Sequence, residues 1–369
     1  MKLLILSSNI GGGHAMVASA IREYFENHGH TVEVRDGISF ISKTGADLFA
    51  FSHKFIYRHA PGAFSALYSE DNRVMTMREG TASRELVDHG AKRLAEFIRE
   101  GCFDAVICTH IIPAIMLSTA KQAYALGMRT AFVETDYTLA LGSVNHSLDF
   151  HFVPHESLIR ELVKYGIRAD RIIVSGIPVR SAIRANIDRA QAREQFAVAD
   201  GKKHVVIAGG SMGAGPIEEL AGRLSGRLDD RGIISIICGS NSHLEKEMTE
   251  QFRDMTNIRM HGFVGAKEIA ALYASADVFV TKAGGISTTE AAVIGLPMVL
   301  INAVAGCESF NLAFFLNHEA ALSGENDSEL ADRVMELLAD EKRRAALSGK
   351  LHDLSVPDSV GIIYRTITA

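Results

Sequence analysis

The sequence predicts an α/β protein made of two Rossmann-like domains that face each other across a cleft. Three observations lead to this fold class. The chain has 369 residues, which is more than one core commonly holds and favours two domains. Short apolar runs alternate with helical patterns along both halves, an order typical of parallel sheets covered on both faces. A glycine-rich turn follows the first predicted strand of each half, where such folds bind ligands.

The first half carries the first series of alternating elements. Strands are predicted at Leu3–Ser7, Thr31–Arg35, Ala105–Thr109, Thr130–Glu134, Phe150–Val153 and Arg171–Val174. Helices are predicted between them, at Ala15–Asn27, Ser83–Glu100 and Glu156–Lys164. We therefore assign residues 1–178 to a first Rossmann-like domain.

The second half repeats the same order. Strands are predicted at Lys203–Ala208, Ile233–Cys238, Ile258–His261, Val278–Thr281 and Met298–Ile301, with helices at Pro216–Leu228 and Ser287–Ile294. A polar segment from 176 to 200 is interpreted as a linker with a leading helix. We assign residues 179–345 to a second, nucleotide-binding domain, and predict that 346–369 form a helical tail that packs back on the first domain.

Composition limits the class of protein. Hydrophobic residues make up 47% of the chain and charged residues 22%, as in ordinary soluble globular proteins. The net charge of −6 argues against a nucleic-acid partner, which usually requires a basic excess. The first strand is too short for a signal sequence, and no apolar run is long enough to span a bilayer. These features predict a cytoplasmic protein.

The four cysteines contain no C-x-x-C pair. They are Cys102, Cys108, Cys238 and Cys307. This scattered arrangement predicts that the cysteines are small, buried apolar residues in a reducing compartment. It predicts neither a disulfide framework nor a zinc site.

The most informative segment is TKAGGISTTE, residues 281–290. It joins a predicted strand to a predicted helix. Paired glycines at such a turn allow an anion to approach the backbone, and the helix N-terminus offers unpaired N–H groups and a partial positive charge. Glu290, one turn into the helix, is suited to accept hydrogen bonds from a ribose diol. The segment therefore predicts a nucleotide site, unless Glu290 is an ordinary exposed helix acid and Lys282 only ends a strand.

A second glycine-rich turn, GGGH at 11–14, predicts a catalytic position in the first half. His14 would point toward the ligand edge of the sheet, although a tight turn without a ligand is the simpler interpretation. Its near-neutral reference pKa suits a general base. Asp136, after the strand ending at Glu134, is the second candidate, either as the base or as a partner that orients His14. Glu134 is a third carboxylate, and the choice among these groups stays open.

Taken together, these motifs resemble those of the monogalactosyl- and glucosyl-diacylglycerol synthases, in glycosyltransferase family 28. The resemblance rests on GGGH at 11–14, TD at 135–136, GIPV at 176–179, GGSMG at 209–213, CG at 238–239, GFV at 262–264, KAGG at 282–285 with TE at 289–290, and Glu308 with Asn311. It implies a GT-B fold, a UDP-sugar donor in the second domain, an acceptor held mainly by the first, inversion at the anomeric carbon, and no metal or other cofactor.

The resemblance also implies particular donor contacts. Uracil would lie against Phe263 and Val264, the ribose on Glu290, and the diphosphate on Gly284, Gly285 and Ser287. Glu308 and Asn311 would contact the sugar hydroxyls. The remaining predicted donor-site residues are Gly12, Gly13, Gly210, Ser211, Met212, Gly239 and Lys282.

The acceptor is predicted less sharply. Residues Phe40 to Glu79 combine aromatic and cationic side chains, which suits a glycerolipid at an anionic membrane surface and peripheral binding at the inner face. An extra helix pair packed on the first domain is the alternative. Three positions depart from the lipid-synthase pattern: Ala140 and Ser143 replace a histidine and a tryptophan, and Cys307 replaces a glutamine. The sugar and the acceptor therefore stay open.

Three other functions remain possible from the sequence. A UDP-sugar transferase could act on a soluble or secondary-metabolite acceptor. A UDP-N-acetylglucosamine 2-epimerase shares the two-domain architecture but needs further acid and base groups around the sugar. A non-catalytic UDP-sugar sensor would have no need of His14 and Asp136.

Overall fold

The computed structural model describes residues 1–8, 12–41, 82–140, 142–143, 146–209, 217–301 and 306–369. The chain divides into two compact units. One consists mainly of Met1–Arg180 and Asp358–Ala369, and the other mainly of Ser181–Ala303 and Glu308–Pro357. The predicted segment Phe40–Glu79 lies outside the described residues from 42 onward.

The first unit contains a parallel sheet flanked by helices. Its described elements are β1 (Lys2–Ser7), α1 (Gly13–Asn27), β2 (Thr31–Asp36), α2 (Ala82–Gly101), β3 (Ala105–Cys108), α3 (Ile111–Ala123), β4 (Arg129–Val133), β5 (Phe150–Val153), α4 (Ser157–Lys164), β6 (Ile172–Val174) and α14 (Ser359–Thr368). Within the described chain the strand order is β2-β1-β3-β4-β5-β6. All of these pairings are parallel.

The second unit repeats this arrangement. Its described elements are α5 (Ser181–Arg184), α6 (Arg189–Gln195), β7 (Lys203–Ala208), α7 (Ile217–Leu228), β8 (Gly232–Ile237), α8 (Ser242–Gln251), β9 (Ile258–His261), α9 (Ala266–Ser275), β10 (Val278–Lys282), α10 (Gly285–Ile294), β11 (Met298–Ile301), α11 (Cys307–Asn317), β12 (Leu322–Gly324), α12 (Asp327–Ala339) and α13 (Glu341–Leu354). The described strands pair in parallel in the order β12-β11-β10-β7-β8-β9. The prediction of two Rossmann-like domains is confirmed.

The strands form where the sequence offers short apolar runs. In β1, every residue from Leu3 to Ser7 is buried, as expected of a strand covered on both faces. Helix α1 buries Val17, Ile21 and Phe25 along one side, and this spacing of four residues places them on one helix face. Each sheet therefore lies within its own apolar core.

Helix α3 is absent from the sequence prediction. Its sequence, IIPAIMLSTAKQA, is mostly buried, so it lacks the polar face that reveals a helix by periodicity. Pro113 lies in the first turn, where a missing N–H does not break a helical hydrogen bond. This helix begins directly after β3 and thereby fixes the residues between them.

The predicted tail divides between the two units. In the first unit, α14 packs on α1, and the hydroxyl of Tyr364 lies 3.2 Å from Nε2 of His30. In the second unit, α13 packs on α10. An added Cβ at Gly295, the residue that ends α10 with φ +66°, would lie 2.4 Å from Nε2 of His352.

Two cysteine predictions are wrong. Cys108 and Cys238 are buried, as expected, but Cys102 is exposed and Cys307 is half-buried. Cys102 has φ +50° just after the end of α2, where the chain reverses at the surface. Within the described residues, no helix combines the length and the apolar character needed to cross a membrane.

Candidate active site

The topology of the first sheet places three chain segments at its carboxyl edge. Strand β1 has β2 on one side and β3 on the other, so the strand order reverses between β1 and β3. Open α/β sheets bind ligands at such a switch point. The residues that follow β1, β3 and β4 include His14, Thr109, His110, Thr135 and Asp136.

His14 is held in one tautomer by a backbone carbonyl. Its Nδ1 lies 2.6 Å from the oxygen of Thr109, and a carbonyl oxygen can only accept a hydrogen bond. Nδ1 of the neutral ring therefore carries the proton, and Nε2 carries the lone pair. The hydroxyl of Thr109 donates to the backbone oxygen of His14 at 3.2 Å, which fixes the start of α1 as well. A neutral imidazole with a fixed lone pair has the form that a general base requires.

Asp136 reaches His14 through Thr135. The Thr135 hydroxyl oxygen lies 3.3 Å from Nδ1 of His14 and 3.4 Å from Oδ2 of Asp136, to which it donates. Burial lowers the pKa of His14 below its ordinary 6.5, and the negative charge of Asp136 acts in the opposite direction. Asp136 is therefore connected to His14 through the Thr135 hydroxyl, and its charge favours the protonated form of the His14 ring.

Glu134 has a different environment. Its side chain is 1% exposed, accepts a 2.6 Å hydrogen bond from the Ser143 hydroxyl, and lies 3.2 Å from Nε2 of His151. Burial raises the pKa of Glu134 to about 8, although the hydrogen bond from Ser143 acts to lower it. Glu134 is thus a buried carboxyl group that connects the segment after β4 to β5.

Ser143 gains a structural role from this contact. The resemblance leads one to expect a tryptophan here, whereas Ser143 is buried against Glu134. Ala140 is half-buried in the same segment. At one of the two positions that depart from the family pattern, this chain therefore forms a buried hydrogen bond, from Ser143 to Glu134.

The second unit has its own switch point. Strand β7 lies between β8 and β10, so the residues after β7 and β10 meet the same sheet edge. Those after β10 are Ala283, Gly284 and Gly285. Gly210, Ser211 and Met212, predicted to follow β7 at this edge, lie outside the described residues.

The start of α10 fits an anion. Gly284 is the N-cap residue and has no side chain to cap this helix end. Its own N–H donates to the oxygen of Lys282 at 2.8 Å, whereas the N–H groups of the first turn, from Gly285 onward, have no acceptor within the helix. An added Cβ at Gly284 would meet no described atom within 4 Å. Ser287 lies in the first turn and is half-buried. Open space beside uncapped amides is what a diphosphate requires.

Glu290 is buried, which rules out the alternative of an ordinary exposed helix acid. Its side chain is 3% exposed, and the Tyr273 hydroxyl lies 3.5 Å from its Oε2. Tyr273 comes from α9 and packs on Phe279, with ring centroids 4.8 Å apart. The carboxylate is therefore held from a neighbouring helix.

Asn311 is hydrogen-bonded to the turn between β10 and α10. It is fully buried, and its Nδ2 donates to the carbonyl oxygen of Ala283 at 2.9 Å. In this structure its amide nitrogen therefore anchors the turn that carries Gly284 and Gly285.

Lys282 and Glu308 form an ion pair. Nζ of Lys282 lies 2.5 Å from Oε1 of Glu308, and both side chains are largely buried. The ammonium group of Lys282, at the end of β10, is thereby directed to the first turn of α11. The pair lies next to the turn after β10 and brings a cation and a carboxylate to it.

Phe263 is the most exposed of the large hydrophobic residues that the structure describes, at 81%. It follows β9 on the carboxyl side, with Val264 half-buried beside it. Gly239 follows β8 and has φ +61°, a conformation that glycine adopts without strain. An exposed aromatic ring at this edge is available for stacking on a base.

Several residues of these sites were missed from the sequence. Thr109, His110 and Tyr273 all contact a predicted site residue, and Thr135, named only as part of a motif, contacts His14 as well. Thr109 and His110 directly follow β3, so the rule that ligands lie at carboxyl strand ends could have found them. Gly12 and Gly13 form the start of α1. Among the described residues, no group of three or more His, Cys, Asp or Glu is arranged to hold a metal ion.

Known protein families match both parts of the chain. Residues 14–179 match the family model for monogalactosyldiacylglycerol (MGDG) synthase, and residues 219–350 match the model for glycosyl transferases group 1. The chain is 26% identical to a processive diacylglycerol beta-glucosyltransferase of Bacillus mycoides, over all of this chain and 93% of that protein. The corresponding enzyme of Bacillus subtilis is 25% identical, over 99% and 94% of the two chains.

Solved structures share the fold. MurG of Acinetobacter baumannii is similar with a TM-score of 0.66 and 15% identity, over 100% of this chain and 99% of that one. A UDP-GlcNAc 2-epimerase from Neisseria meningitidis, bound to UDP-GlcNAc, is similar with a TM-score of 0.68 and 14% identity over both complete chains. At these identities the likeness establishes the two-domain GT-B fold alone.

Proposed function

We propose that this chain, a two-domain hexosyltransferase related to the diacylglycerol glucosyltransferases, transfers a hexose from a UDP-sugar to the free hydroxyl of a diacylglycerol-type lipid, with inversion at the anomeric carbon. The observation that carries the proposal is the 2.6 Å contact between His14 Nδ1 and the Thr109 oxygen. It leaves the lone pair of Nε2 to act as a base beside the switch point of the first sheet. The comparisons support the lipid acceptor.

His14 is the proposed general base. As the acceptor oxygen attacks the anomeric carbon, Nε2 of His14 takes the hydroxyl proton, the bond from that carbon to the diphosphate oxygen breaks, and UDP leaves. The imidazolium that forms is stabilised by the charge of Asp136. Attack from the face opposite the leaving group inverts the configuration.

The second unit is proposed to bind the donor. The diphosphate lies against Gly284 and on the backbone N–H groups of Gly285 and Ser287, where the helix dipole of α10 favours negative charge. Glu290 accepts hydrogen bonds from the ribose, and uracil stacks on Phe263 beside Val264. Backbone groups of Gly12, Gly13, Gly210, Ser211, Met212 and Gly239 complete the predicted donor contacts.

The sugar is proposed to lie beside the Lys282–Glu308 pair. Glu308 and Asn311 are the predicted contacts to its hydroxyls. Lys282, the last residue of β10, lies next to the diphosphate turn with its charge balanced by Glu308. The fixed amides at the start of α10 offer electrostatic stabilisation of the departing UDP, so the proposal requires neither a metal ion nor another cofactor.

Membrane association belongs to the proposal as well. The aromatic and cationic residues between Phe40 and Glu79 suit an anionic membrane surface at the cytoplasmic face. Peripheral binding would bring the enzyme to an acceptor that stays in the bilayer. Sedimentation with vesicles that contain phosphatidylglycerol, compared with pure phosphatidylcholine vesicles, tests this part by itself.

The central experiment measures UDP release and glycolipid formation by the purified protein. UDP-glucose, UDP-galactose and UDP-N-acetylglucosamine are each supplied with dioleoylglycerol in mixed micelles, without lipid, and with lipid plus EDTA. We expect release to depend on the lipid, to yield a β-glycoside, and to persist in EDTA. Equal release with and without lipid, and no glycolipid, would contradict the lipid acceptor.

Two further arms separate the alternatives. A water-soluble glycerol derivative in place of the lipid tests a soluble acceptor. UDP-N-acetylglucosamine alone tests an epimerase, because epimerisation needs no acceptor. Formation of UDP-N-acetylmannosamine in that arm would replace the transferase proposal.

A further inference from the structure

A second histidine lies beside the proposed base. His110 directly follows β3, and its ring meets that of His14 edge to face, with centroids 4.7 Å apart and an interplanar angle of 76°. Both side chains are half-buried. The backbone of the preceding residue, Thr109, holds His14, so the position of one ring is tied to that of the other.

The hydrogen bonds of His110 fix its tautomer. It is the N-cap residue of α3, and its Nδ1 accepts a hydrogen bond from the N–H of Ile112 at 3.2 Å. A ring nitrogen that accepts carries no proton, so neutral His110 carries its proton on Nε2.

The two rings therefore have opposite hydrogen-bonding character at Nε2. His14 donates from Nδ1 to Thr109 and has its lone pair on Nε2. His110 accepts at Nδ1 and has its N–H at Nε2. An acceptor and a donor on adjacent rings match a substrate in which a hydroxyl stands next to a second oxygen.

We propose that His110 donates its Nε2–H to the acceptor oxygen on the carbon next to the hydroxyl that His14 deprotonates. The inference rests on the proposed function, because it assigns the specificity of that same acceptor site. In a diacylglycerol this second oxygen belongs to the adjacent ester. In a sugar acceptor it is a vicinal hydroxyl. A second hydrogen bond restricts rotation of the attacking hydroxyl and brings it into line for attack.

Two substitutions separate the donor role of His110 from its capping role. In His110→Asn the side-chain oxygen still caps α3, since asparagine is among the best N-cap residues, but the Nε2–H is lost. In His110→Gln the amide nitrogen extends to about the position of Nε2, whereas the cap is weakened. Two acceptors complete the test: 1,2-dioleoylglycerol, and oleyl alcohol, which lacks an adjacent oxygen.

We expect His110→Asn to lower kcat/KM for dioleoylglycerol by about 10-fold, as for one lost hydrogen bond. The same variant should change kcat/KM for oleyl alcohol by less than about 2-fold. His110→Gln should recover part of the activity toward dioleoylglycerol while melting at a lower temperature than His110→Asn. The affinity for UDP should be equal in all three proteins.

Equal losses of activity toward the two acceptors would overturn the inference, as would wild-type activity in His110→Asn. If activity falls in parallel with the melting temperature, and not with the loss of the Nε2–H donor, His110 serves only as a helix cap. Failure of the proposed function looks different, because the wild-type enzyme would then transfer to neither lipid. That result would remove the acceptor role of His110 as well.

Discussion

The carbonyl oxygen of Thr109 lies 2.6 Å from Nδ1 of His14. These residues stand 95 positions apart in the chain and meet because β1 and β3 are neighbours in the sheet. The contact determines which ring nitrogen of His14 can accept a proton. It leaves the lone pair on Nε2, as the proposed role of general base requires.

His14→Ala should lower kcat on the order of 10²-fold or more, as expected when a general base is removed, while UDP affinity stays unchanged. Initial rates at saturating donor and calorimetry with UDP measure the two effects. His14→Gln is a second variant that retains a polar side chain. Wild-type turnover in either protein would shift the role of base to Asp136.

The pH dependence of kcat/KM tests the Asp136 partnership. A protonated base is inactive, and burial lowers the pKa of His14 below 6.5, so the acid limb of the wild-type profile should lie below pH 6.5. The charge of Asp136 raises the pKa of His14, and Asp136→Asn should therefore move this limb to lower pH. Thr135→Val keeps the charge but removes the bridging hydroxyl, so its limb should move less.

These two variants also test the choice of base. If Asp136 were the base, Asp136→Asn would reduce kcat as much as His14→Ala or more. If Asp136 acts through His14, a smaller loss together with a shifted profile is expected. An unshifted profile in Asp136→Asn would contradict the electrostatic link.

The sequence predicted the strands and the glycine turn between β10 and α10 well, because both depend on local features. A buried parallel strand is a short apolar run, and a turn that binds an anion needs glycine at fixed places. Helix α3 was missed because a helix that is mostly buried shows little amphipathic periodicity. Position in the chain also suggested His14 and Asp136, since each follows a predicted strand.

The environment of each site residue could not be predicted from the sequence. The burial of Glu290 and its contact with Tyr273 depend on how α9 packs beside α10. The pairing of Glu134 with Ser143 and His151 joins three separate positions in one buried contact. Alternation along a strand could not separate Glu134 from Asp136, because residues two apart share a face. Only tertiary packing made one buried and left the other half-buried.

Gly284→Ala tests the proposed diphosphate site without disturbing the fold. Gly284 has φ −76°, which alanine also adopts, and an added Cβ would meet no described atom within 4 Å. The melting temperature should therefore hold, whereas a methyl group beside the first amides of α10 should weaken UDP binding about 10-fold or more, equal to about 1.4 kcal/mol.

Gly127→Ala is the matched control, because its added Cβ also meets no described atom within 4 Å and it lies in the other unit. It should leave both UDP affinity and the melting temperature unchanged. Wild-type affinity in Gly284→Ala would place the diphosphate elsewhere.

Glu290→Ala should weaken UDP binding by roughly 1.5–3 kcal/mol, as for lost hydrogen bonds to a charged group. Because the side chain is buried, Glu290→Gln is the better comparison for shape. Calorimetry with UDP and 2′-deoxy-UDP gives the specific result: the wild-type protein should prefer UDP, and both variants should lose that preference. A preference that survives in both would refute the ribose contact.

His204 should make the second unit sensitive to acid. The side chain is fully buried between the hydroxyls of Ser235 and Ser275, at 3.0 and 2.9 Å, and burial lowers its pKa from 6.5 to about 4. Between these values the unfolded chain binds a proton that the folded chain does not, so the free energy of unfolding falls as pH decreases from 6.5 toward 4. The loss approaches about 1.4 kcal/mol for each pH unit.

Urea unfolding of the wild-type protein and of His204→Gln between pH 8 and 4.5 measures this loss. The difference in the free energy of unfolding between the two proteins should be constant above about pH 7 and should shift in favour of the variant at lower pH. Parallel curves across the whole range would show that His204 does not titrate in this way.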